Sequence, residues 1–294
     1  MTIKALIPWW AKIIAKLLLS RIPASYQIWQ RFGLFKHGGM ERPVYAYDVF
    51  TSHYSRFDPD HSKQSCVVLE LGPGDSLAST LVAAAYGADR MHLIDTGPYA
   101  RSDMAPYHQM IDYLKEKGME APDLQGVHTL SELLNRCRAY YGTDGINSLK
   151  EIPSGSVDFV YSQAVLEHVR KGEFAAMTRE LRRIIRPDGM CSHRVDLKDH
   201  LGGALNNLRF PEALWESNFM ARSGFYTNRI NFKEMLRIFS DEGFSVDIVN
   251  VKRWDALPTP RRRMAMPFRA LPDEELLVAE FDVVLKPRNE AASD

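Results

Sequence analysis

The fold is decided by the stretch Val67-Val-Leu-Glu-Leu-Gly-Pro-Gly-Asp-Ser76. Its first half is a short β-branched and aliphatic run, which is typical of a strand buried on both faces of a parallel sheet. Gly72 and Gly74 permit backbone dihedrals that other residues avoid, and they let a ligand approach the main chain. Asp75 and Ser76 are predicted to cap the helix that follows. Strand, glycine turn and helix N-terminus together predict a nucleotide-binding unit.

Two carboxylates narrow the choice of nucleotide. Asp95 ends a second apolar run and follows Gly74 by roughly 20 positions, the spacing of a carboxylate that binds ribose hydroxyls. A dinucleotide-binding turn carries a third glycine where this sequence has Leu77, and without a pyrophosphate that glycine is not needed. Glu70, just inside the turn, would repel a phosphate but suits a cationic amino group, such as that of a methionine moiety.

The composition is that of a globular protein with ample material for a core: 294 residues, of which 45% are hydrophobic. The 37 basic and 37 acidic residues cancel, which argues against a general nucleic-acid binder, because such proteins are usually clearly basic. Cys66, Cys137 and Cys191 stand apart with no CxxC pair, so they indicate reduced thiols rather than a disulfide framework or a zinc site. We therefore expect a cytoplasmic protein that does not bind nucleic acid.

Residues 1–60 are predicted to form an N-terminal helical extension, and residues 61–294 the main α/β domain, with an insertion at about 196–230. Within residues 1–24, apolar side chains recur at helical spacing and two lysines share another face: Trp9, Trp10, Ile13, Ile14, Leu17, Leu18, Lys12 and Lys16. This run is too short to span a bilayer and lacks the cleavage site of a signal peptide. It fits either a helix lying peripherally on the inner face of the membrane, or a helix that docks on the rest of the chain or on a second subunit of a homodimer.

Further polar residues follow a predicted strand near the middle of the chain. In Ser156-Val-Asp-Phe-Val-Tyr-Ser-Gln-Ala-Val-Leu-Glu-His168, an aspartate opens the strand and Leu-Glu-His comes after its end. Ligands of open α/β sheets bind outside the carboxyl ends of the strands. Four side chains are therefore expected to face the ligand cleft: Ser162, Gln163, Glu167 and His168. A helix predicted from Phe174 to Ile185 then runs into the stop Arg186-Pro-Asp-Gly189.

Three motifs in this order, Glu70–Gly74 with Asp95, Ser156–His168 and Arg186–Gly189, resemble those of the class I S-adenosylmethionine-dependent methyltransferases. The resemblance implies a seven-stranded, mostly parallel Rossmann-like sheet with helices on both faces, which ends in an antiparallel hairpin. It also implies S-adenosylmethionine as the cofactor and S-adenosylhomocysteine as the product. The residues that it places around the cofactor are Glu70, Gly72, Pro73, Gly74, Asp95, Thr96, Asp144, Ser162, Gln163 and Glu167.

The third strand has the weakest pattern in the predicted sheet. Helices are predicted near Tyr107–Lys117 and Leu130–Tyr140, in a long crossover that leads to it. In the family that the chain resembles, an acidic residue after this strand often accepts a hydrogen bond from the adenine amino group, and Asp144 is the nearest candidate. An ordinary Asp-Gly turn is the alternative interpretation of this residue.

Titratable side chains cluster at the carboxyl end of the fifth predicted strand. Methyl transfer to a hydroxyl needs a general base, or a metal ion that lowers the pKa of the hydroxyl. By position, the candidates are His200, His193, Asp196, Asp199 and His168. His200 is the first choice for the base, because a histidine held by a neighbouring carboxylate titrates near neutral pH. The Asp-x-x-Asp-His run from Asp196 to His200 is alternatively a divalent-metal site, and the sequence leaves both open.

The insertion carries many aromatic side chains beside arginine and asparagine, as carbohydrate and small polar ligand sites do. The residues predicted to bind the substrate are Asn206, Arg209, Trp215, Tyr226 and Arg229. A lid that is packed for structure alone is the alternative. A later loop holds Arg261-Arg-Arg263 and Arg269, which either bind an anionic group or are solvated.

The predicted acceptor is a sugar hydroxyl. The insertion and the aromatic, basic N-terminal region resemble methyltransferases of bacterial surface-polysaccharide synthesis, which implies O-methylation of a sugar or glycan acceptor. One alternative is methylation of a small molecule or a lipid headgroup, and another is a non-catalytic protein that keeps the fold and binds S-adenosylmethionine. A nicotinamide oxidoreductase is disfavoured by Leu77 and Glu70.

Overall fold

The computed structural model describes residues 39–62, 65–200 and 202–288, so the helix predicted within residues 1–24 lies outside the described residues. The α-helices are α1 (Pro43–Phe57), α2 (Ser79–Ala85), α3 (Ala105–Glu116), α4 (Leu130–Arg136), α5 (Ile146–Lys150), α6 (Phe174–Ile184), α7 (Glu212–Trp215), α8 (Asn218–Ala221), α9 (Phe232–Asp241) and α10 (Asp273–Leu276). The strands are β1 (Cys66–Leu71), β2 (Ala88–Ile94), β3 (Ala139–Gly142), β4 (Val157–Gln163), β5 (Ile185–Asp196), β6 (Phe244–Arg253) and β7 (Val278–Pro287). Short 3-10 helices cover Leu166–His168, Lys171–Glu173, Asn206–Arg209, Arg261–Arg263 and Phe268–Ala270.

The strands form one seven-stranded sheet in the order β3-β2-β1-β4-β5-β7-β6. Strands β1 to β5 run parallel to one another, whereas β7 pairs antiparallel with both β5 and β6. The predicted mostly parallel sheet, with its terminal antiparallel hairpin, is confirmed. Strand order reverses between β1 and β4, and in such sheets the crevice at the carboxyl ends of these two strands is where ligands bind.

Helix α1 packs on the sheet, so the described part of the N-terminal extension shares the main core. Phe57 stacks on Phe159 of β4 with ring centroids 5.1 Å apart, and Phe50 meets Tyr161 edge-on at 5.7 Å. Each such aromatic pair contributes about 0.5–1.5 kcal/mol beyond the burial of its area. Among the described helices, none is long and apolar enough to cross a membrane.

Helix α2 begins later than predicted and lacks the predicted cap. Its first residue is Ser79, and no side chain caps its N-terminus. Asp75 and Ser76 are buried in the turn before the helix, where the Ser76 hydroxyl accepts a hydrogen bond from the Ala78 N–H. The turn is longer than predicted because Leu77, which is fully buried, packs in the core before the helix starts.

The helix predicted over Leu130–Tyr140 is divided between α4 and β3. Thr129 and Glu132 form a capping box at the start of α4. The helix ends before Arg138, whose positive φ of 50° turns the chain. The chain then enters β3, whose backbone pairs in parallel with β2.

The stop predicted at Arg186–Gly189 forms the first part of β5 instead of a separate turn. Arg186 pairs with the Asp158 carboxylate of β4 at 2.8 Å. A Cβ at Gly189 would stand 2.9 Å from the Asp158 carbonyl oxygen. Glycine is therefore required here because the two strands approach closely where their register shifts.

Candidate active site

Asp95 contacts the glycine turn that follows β1. The Gly74 N–H donates to Asp95 Oδ2 at 3.0 Å, and the Thr96 N–H donates to Oδ1 at 2.8 Å. Gly72 and Gly74 have φ values of 65° and 69°, a region that other residues rarely adopt. The turn and the second carboxylate, which the sequence separates, thus meet at the carboxyl edge of β1 and β2.

Glu70 is buried directly before this turn, with only 3% of its surface exposed. The Ser79 hydroxyl of α2 donates a hydrogen bond to Glu70 Oε2. Burial raises the pKa of Glu70 to about 7, although the Ser79 hydrogen bond acts in the opposite direction. An ammonium group near this carboxyl would favour its ionised form. The residues around the turn therefore fit a nucleoside with an amino-acid moiety.

The turn after β1 packs against the turn after β4. A Cβ at Gly72 would stand 2.5 Å from Val165 Cγ2, so this position has no room for a side chain. Ala164, at the start of the second turn, has a positive φ of 54°. Gly72 was expected to let a ligand approach the main chain. Among the described residues, the side chain that occupies the space beside it is Val165.

Asp144 lies just beyond β3, so it follows the third strand as expected. The Asn147 amide donates to Asp144 Oδ2 at 3.1 Å, and the side chain of Asp144 is exposed. The following Gly145 N–H donates to the Asp95 backbone carbonyl at 2.9 Å. Asp144 is thus placed near Asp95, and its contact with adenine stays a prediction.

Gln163, at the end of β4, is held by a histidine of α1 that the sequence did not single out. His53 Nε2 donates to Gln163 Oε1 at 3.0 Å, and His53 Nδ1 lies 2.8 Å from Ser192 Oγ. Arg56 donates to the same Ser192 hydroxyl at 2.9 Å. Burial lowers the pKa of His53 to about 4, so the ring is neutral at pH 7. The only signal in the sequence is a histidine on the apolar stripe of α1.

His193 lies inside the protein and not in the cleft. It is fully buried, and its ring packs against Phe239 of α9 with centroids 6.3 Å apart. Burial lowers the pKa of His193 to about 3. Its partner Ser162, 2.8 Å from His193 Nδ1, is also fully buried. Both side chains lie on the face of the sheet that α9 covers, which argues against His193 as a base and against Ser162 as a cofactor ligand.

His168 and His200 come together beyond the carboxyl ends of β4 and β5. Their Nε2 atoms are 3.0 Å apart, and both side chains are exposed. His168 Nδ1 donates to the Tyr226 carbonyl oxygen at 2.8 Å, so the neutral ring carries its lone pair on Nε2. Among the predicted bases, these two histidines are exposed at this edge of the sheet.

The predicted Asp-x-x-Asp-His cluster is replaced by a different grouping. Asp196 pairs with Lys198, whose Nζ lies 3.4 Å from Asp196 Oδ2. The buried Asp199 accepts backbone N–H groups of its own loop, from Gly202 at 2.8 Å and Asn206 at 2.5 Å. Both aspartates therefore shape the loop after β5. The side chains whose ligand atoms converge are Glu167, His168 and His200.

The aromatic and charged residues of the insertion pack on one another. Trp215 is fully buried, and its Nε1–H donates to the Thr227 carbonyl oxygen at 2.7 Å. The Arg229 guanidinium lies over the rings of Trp215 and Phe268, at 5.3 and 4.8 Å, and pairs with Glu212 at 2.6 Å. Trp215 and Arg229, predicted to bind the substrate, instead hold the insertion together, because their ring faces and donors are used internally.

The other predicted substrate residues also make internal contacts. The Tyr226 hydroxyl donates to Glu216 Oε2 at 2.7 Å, and its ring lies 5.6 Å from the guanidinium carbon of Arg170. Arg209 Nε donates to Asn206 Oδ1 at 2.9 Å. Arg209 is partly exposed, whereas Asn206 is 6% exposed. Of the five residues, Arg209 is therefore the one best placed to meet a ligand.

Asn228 was missed by the sequence analysis as a site residue, although it fixes the segment that carries Glu167 and His168. Its side-chain amide donates to the carbonyl oxygens of Leu166 at 2.8 Å and Val169 at 3.0 Å. Its backbone N–H donates to the Glu167 carbonyl oxygen at 2.7 Å. An asparagine within a polar segment gives no motif signal, so only the folded chain reveals this role.

The arginine-rich loop is held partly by its own main chain. Arg261 donates to the Arg269 carbonyl oxygen at 2.8 Å and pairs with Asp273. Arg269 Nε donates to the Met264 carbonyl oxygen at 3.1 Å. Two of the four arginines that were expected either to bind an anion or to be solvated are thus structural.

Residues 69–192 match the family model described as "Methyltransferase domain". The match begins in β1 and ends in β5, so it contains the glycine turn, Asp95 and the Glu167–His168 segment. Together with the strand order, the match indicates a class I S-adenosylmethionine-dependent methyltransferase. S-adenosylmethionine is the cofactor of this class, and the surroundings of Glu70 and Asp95 fit it.

Three solved structures illustrate the likeness. A SAM-dependent methyltransferase from Methanosarcina mazei is 17% identical, with 79% of this chain and 97% of that chain covered and a TM-score of 0.47. A phosphoethanolamine N-methyltransferase of Haemonchus contortus, in complex with S-adenosyl-L-methionine, is 13% identical, with 92% and 61% covered and a TM-score of 0.47. A putative methyltransferase in complex with the Haloferax volcanii Trm112 activator is 13% identical, with 84% and 93% covered and a TM-score of 0.43. No curated protein matches the sequence.

Proposed function

We propose that this chain transfers the methyl group of S-adenosylmethionine to a hydroxyl of a sugar or glycan acceptor in bacterial glycan biosynthesis. The observation that carries the proposal is the exposed pair His168 and His200, whose Nε2 atoms lie 3.0 Å apart beyond the ends of β4 and β5. An alcohol becomes a good nucleophile only when its proton is removed. Imidazole nitrogens at this edge of the sheet therefore suit a hydroxyl acceptor.

The roles of the residues follow from their positions. S-adenosylmethionine supplies the methyl group and leaves as S-adenosylhomocysteine. In this proposal Asp95 binds the ribose hydroxyls and Glu70 faces the amino group of the methionine moiety. The histidine pair takes up the hydroxyl proton of the acceptor, and the Tyr226 carbonyl fixes the orientation of His168. Alignment of the two reactants supplies most of the acceleration, about 7–11 kcal/mol in favourable cases.

A groove lined by the segment that follows His168 supports a neutral, polar acceptor. Its volume is about 550 Å³, and its lining is charged or polar: Arg170, Lys171, Gly172, Glu173, Glu212, Glu216 and Asn218. The three carboxylates are balanced by Arg170, Lys171 and the adjoining Arg229, which pairs with Glu212, so the groove carries no net charge and suits a neutral acceptor. Because Arg170 and Lys171 follow His168 closely in the chain, the groove is a natural place for the rest of the acceptor.

Methyl transfer to matched acceptors tests the proposal. Labelled S-adenosylmethionine would be offered with neutral oligosaccharides or with phosphoethanolamine, and we expect the label only in sugar methyl ethers. His200→Ala should lower turnover by roughly 10²–10⁴-fold, the range for loss of general-base assistance, while calorimetric S-adenosylmethionine affinity is kept. Transfer to phosphoethanolamine alone would instead support the headgroup alternative. Cofactor binding without transfer to any acceptor would support a non-catalytic binding protein.

A further inference from the structure

Three side chains from two separate segments of the chain bring potential metal-ligand atoms close together. One atom each from Glu167, His168 and His200 lie within 4.8 Å of one another. The two histidine Nε2 atoms are 3.0 Å apart, and the ring centroids are 4.7 Å apart with an angle of 16° between the ring planes. Two exposed imidazoles whose nitrogens meet in this way either share one proton or bind one ion.

Glu167 decides between these two arrangements. Its side chain is 1% exposed, and among the described residues neither of its carboxylate oxygens makes a hydrogen bond of good geometry, although the backbone N–H groups of Glu167 and Asp196 lie near enough to favour its ionised form. A buried carboxyl group without a partner is costly, and such groups are normally paired with a donor or coordinate a metal ion. A hydrogen bond between the two histidines leaves the Glu167 carboxylate without a partner, whereas an ion bound by the histidines would also bind this carboxylate.

The surroundings of the histidines agree with metal ligation. A histidine that binds a metal almost always donates its other ring N–H to a carbonyl, a carboxylate or water, which orients the ring. His168 does so, because its Nδ1–H donates to the Tyr226 carbonyl oxygen at 2.8 Å. Asn228 fixes the neighbouring backbone by donating to the carbonyl oxygens of Leu166 and Val169. His168 is therefore oriented before any ligand arrives.

We propose that Glu167, His168 and His200 bind one divalent transition-metal ion, such as Zn²⁺ or Co²⁺. Two imidazoles and one carboxylate are a known ligand set for catalytic Zn²⁺ and for other borderline ions, and they leave coordination positions open. At bond lengths of about 2.1 Å, nitrogens 3.0 Å apart subtend roughly 90° at the ion. Two ligand atoms of one such ion lie at most about 4.2 Å apart. The three ligand atoms lie within 4.8 Å of one another, so the widest of their separations must shorten by at most roughly 0.6 Å. The exposed side chain of His200 can move by this distance.

The ion would activate the acceptor, a role that rests on the proposed function. A hydroxyl bound at an open position loses its proton more easily, because the cation stabilises the alkoxide. The oxygen then forms its bond to the methyl carbon as the carbon–sulfur bond breaks. The electron pair of that bond stays on sulfur, and the proton passes to solvent. In this arrangement the histidines bind the ion instead of taking up the proton, and the ion activates the acceptor hydroxyl.

Titration of the untagged full-length chain with Co²⁺ and Zn²⁺ tests the site. We expect one ion per chain by calorimetry, with visible ligand-field absorption for Co²⁺. His200→Ala should weaken binding at least roughly 100-fold, because loss of a ligand exceeds the 10–100-fold effect of outer partners. His108→Ala, which removes an exposed histidine on α3, should leave binding unchanged. Glu167→Gln should also weaken binding, and circular dichroism would confirm that each variant is folded.

Binding and function can fail separately. Equal affinity in wild type and His200→Ala, or no stoichiometric binding, would overturn the site and leave a hydrogen-bonded histidine pair only. A chelator should abolish methyl transfer while calorimetric S-adenosylmethionine binding remains, and added Co²⁺ should restore transfer. Transfer that persists in the chelator would overturn the catalytic role of the ion. No S-adenosylmethionine binding by the wild type, either with the ion or without it, would count against the proposed function and not against the metal site.

Discussion

The glycine turn and the insertion use their residues in opposite ways. At the turn, the interacting atoms are a backbone N–H of Gly74 and the carboxylate of Asp95, 3.0 Å apart. In the insertion, the interacting atoms belong to large side chains that contact one another, as Arg229 does with Trp215 at 5.3 Å. The turn leaves Asp95 partly exposed at the crevice, whereas Trp215 and the Arg229 side chain are fully buried.

The difference shows which kind of sequence signal identifies a site. A turn with two glycines at positive φ has few solutions, so the residue type and the spacing together determine where the backbone N–H groups lie. Aromatic rings and guanidinium groups make the same stacking and ion-pair contacts in a packed lid as in a ligand site. Residue types in the insertion therefore could not distinguish the two uses.

The largest effect that we expect is on the stability of the insertion. Trp215→Ala should lower the free energy of unfolding by about 3–5 kcal/mol, because it leaves a cavity and removes the donor to the Thr227 carbonyl. Urea unfolding followed by circular dichroism measures this change. The neighbouring Leu214 is 46% exposed, so Leu214→Ala should change stability by less than about 0.5 kcal/mol. Similar losses in both variants would contradict the packing role of Trp215.

The next effect concerns the crowded glycine turn. Gly72→Ala should destabilise the chain by about 2–5 kcal/mol, because it combines a positive φ with a Cβ 2.5 Å from Val165. Gly87 also has a positive φ, of 81°, but a Cβ there would meet nothing within 4 Å. Gly87→Ala should therefore show the backbone cost alone, about 1–2 kcal/mol. Val165→Ala in the Gly72→Ala background should recover part of the loss, and an additive double mutant would count against the contact.

The sheet could be predicted because several of its strands are apolar runs that end at glycine or acidic residues. The ends of elements were less accurate where one side chain decides them. Arg138, at φ 50°, ends the Leu130 helix and starts β3, and an arginine in this conformation gives no signal in the sequence. The glycine turn and Asp95 were predicted together because their spacing reflects a fixed strand-to-strand geometry.

The acceptor side of the site could be predicted only in part. His168 and His200 were both candidates, but their meeting depends on two loops that are 32 positions apart in the chain. His193 was a candidate by position, but both faces of β5 are covered at this point, and His193 is buried there as fully as Ser192. Asn228 holds the Glu167 backbone through contacts that no local pattern encodes.

The free energy of unfolding should depend on pH through Glu70, the buried carboxyl before the glycine turn. The folded-state pKa of Glu70 is about 7 against an ordinary value of 4.5, so its contribution to stability is complete below pH 4.5 and is lost as the pH rises through 7. Over that window the wild type should lose up to about 3 kcal/mol relative to Glu70→Gln, which does not titrate. Urea unfolding of both proteins at pH 5 and pH 8 measures the difference, in which the buried His53 and His193 cancel. A constant difference between the two proteins would show that Glu70 is ionised throughout.

The smallest effect should appear in cofactor affinity and not in the fold. Asp95→Ala should weaken S-adenosylmethionine binding by roughly 10–100-fold, because a hydrogen bond to a charged group is worth about 1.5–3 kcal/mol. Asp144→Ala removes an exposed carboxylate at the neighbouring strand end and should cost less than about tenfold, since an exposed hydrogen bond competes with water and contributes less. Calorimetric titration of both variants gives the ratio. If both variants lose the same affinity, the two carboxylates contribute equally to cofactor binding. The contact between Asp95 and the Gly74 N–H would then not identify Asp95 as the residue that binds the ribose.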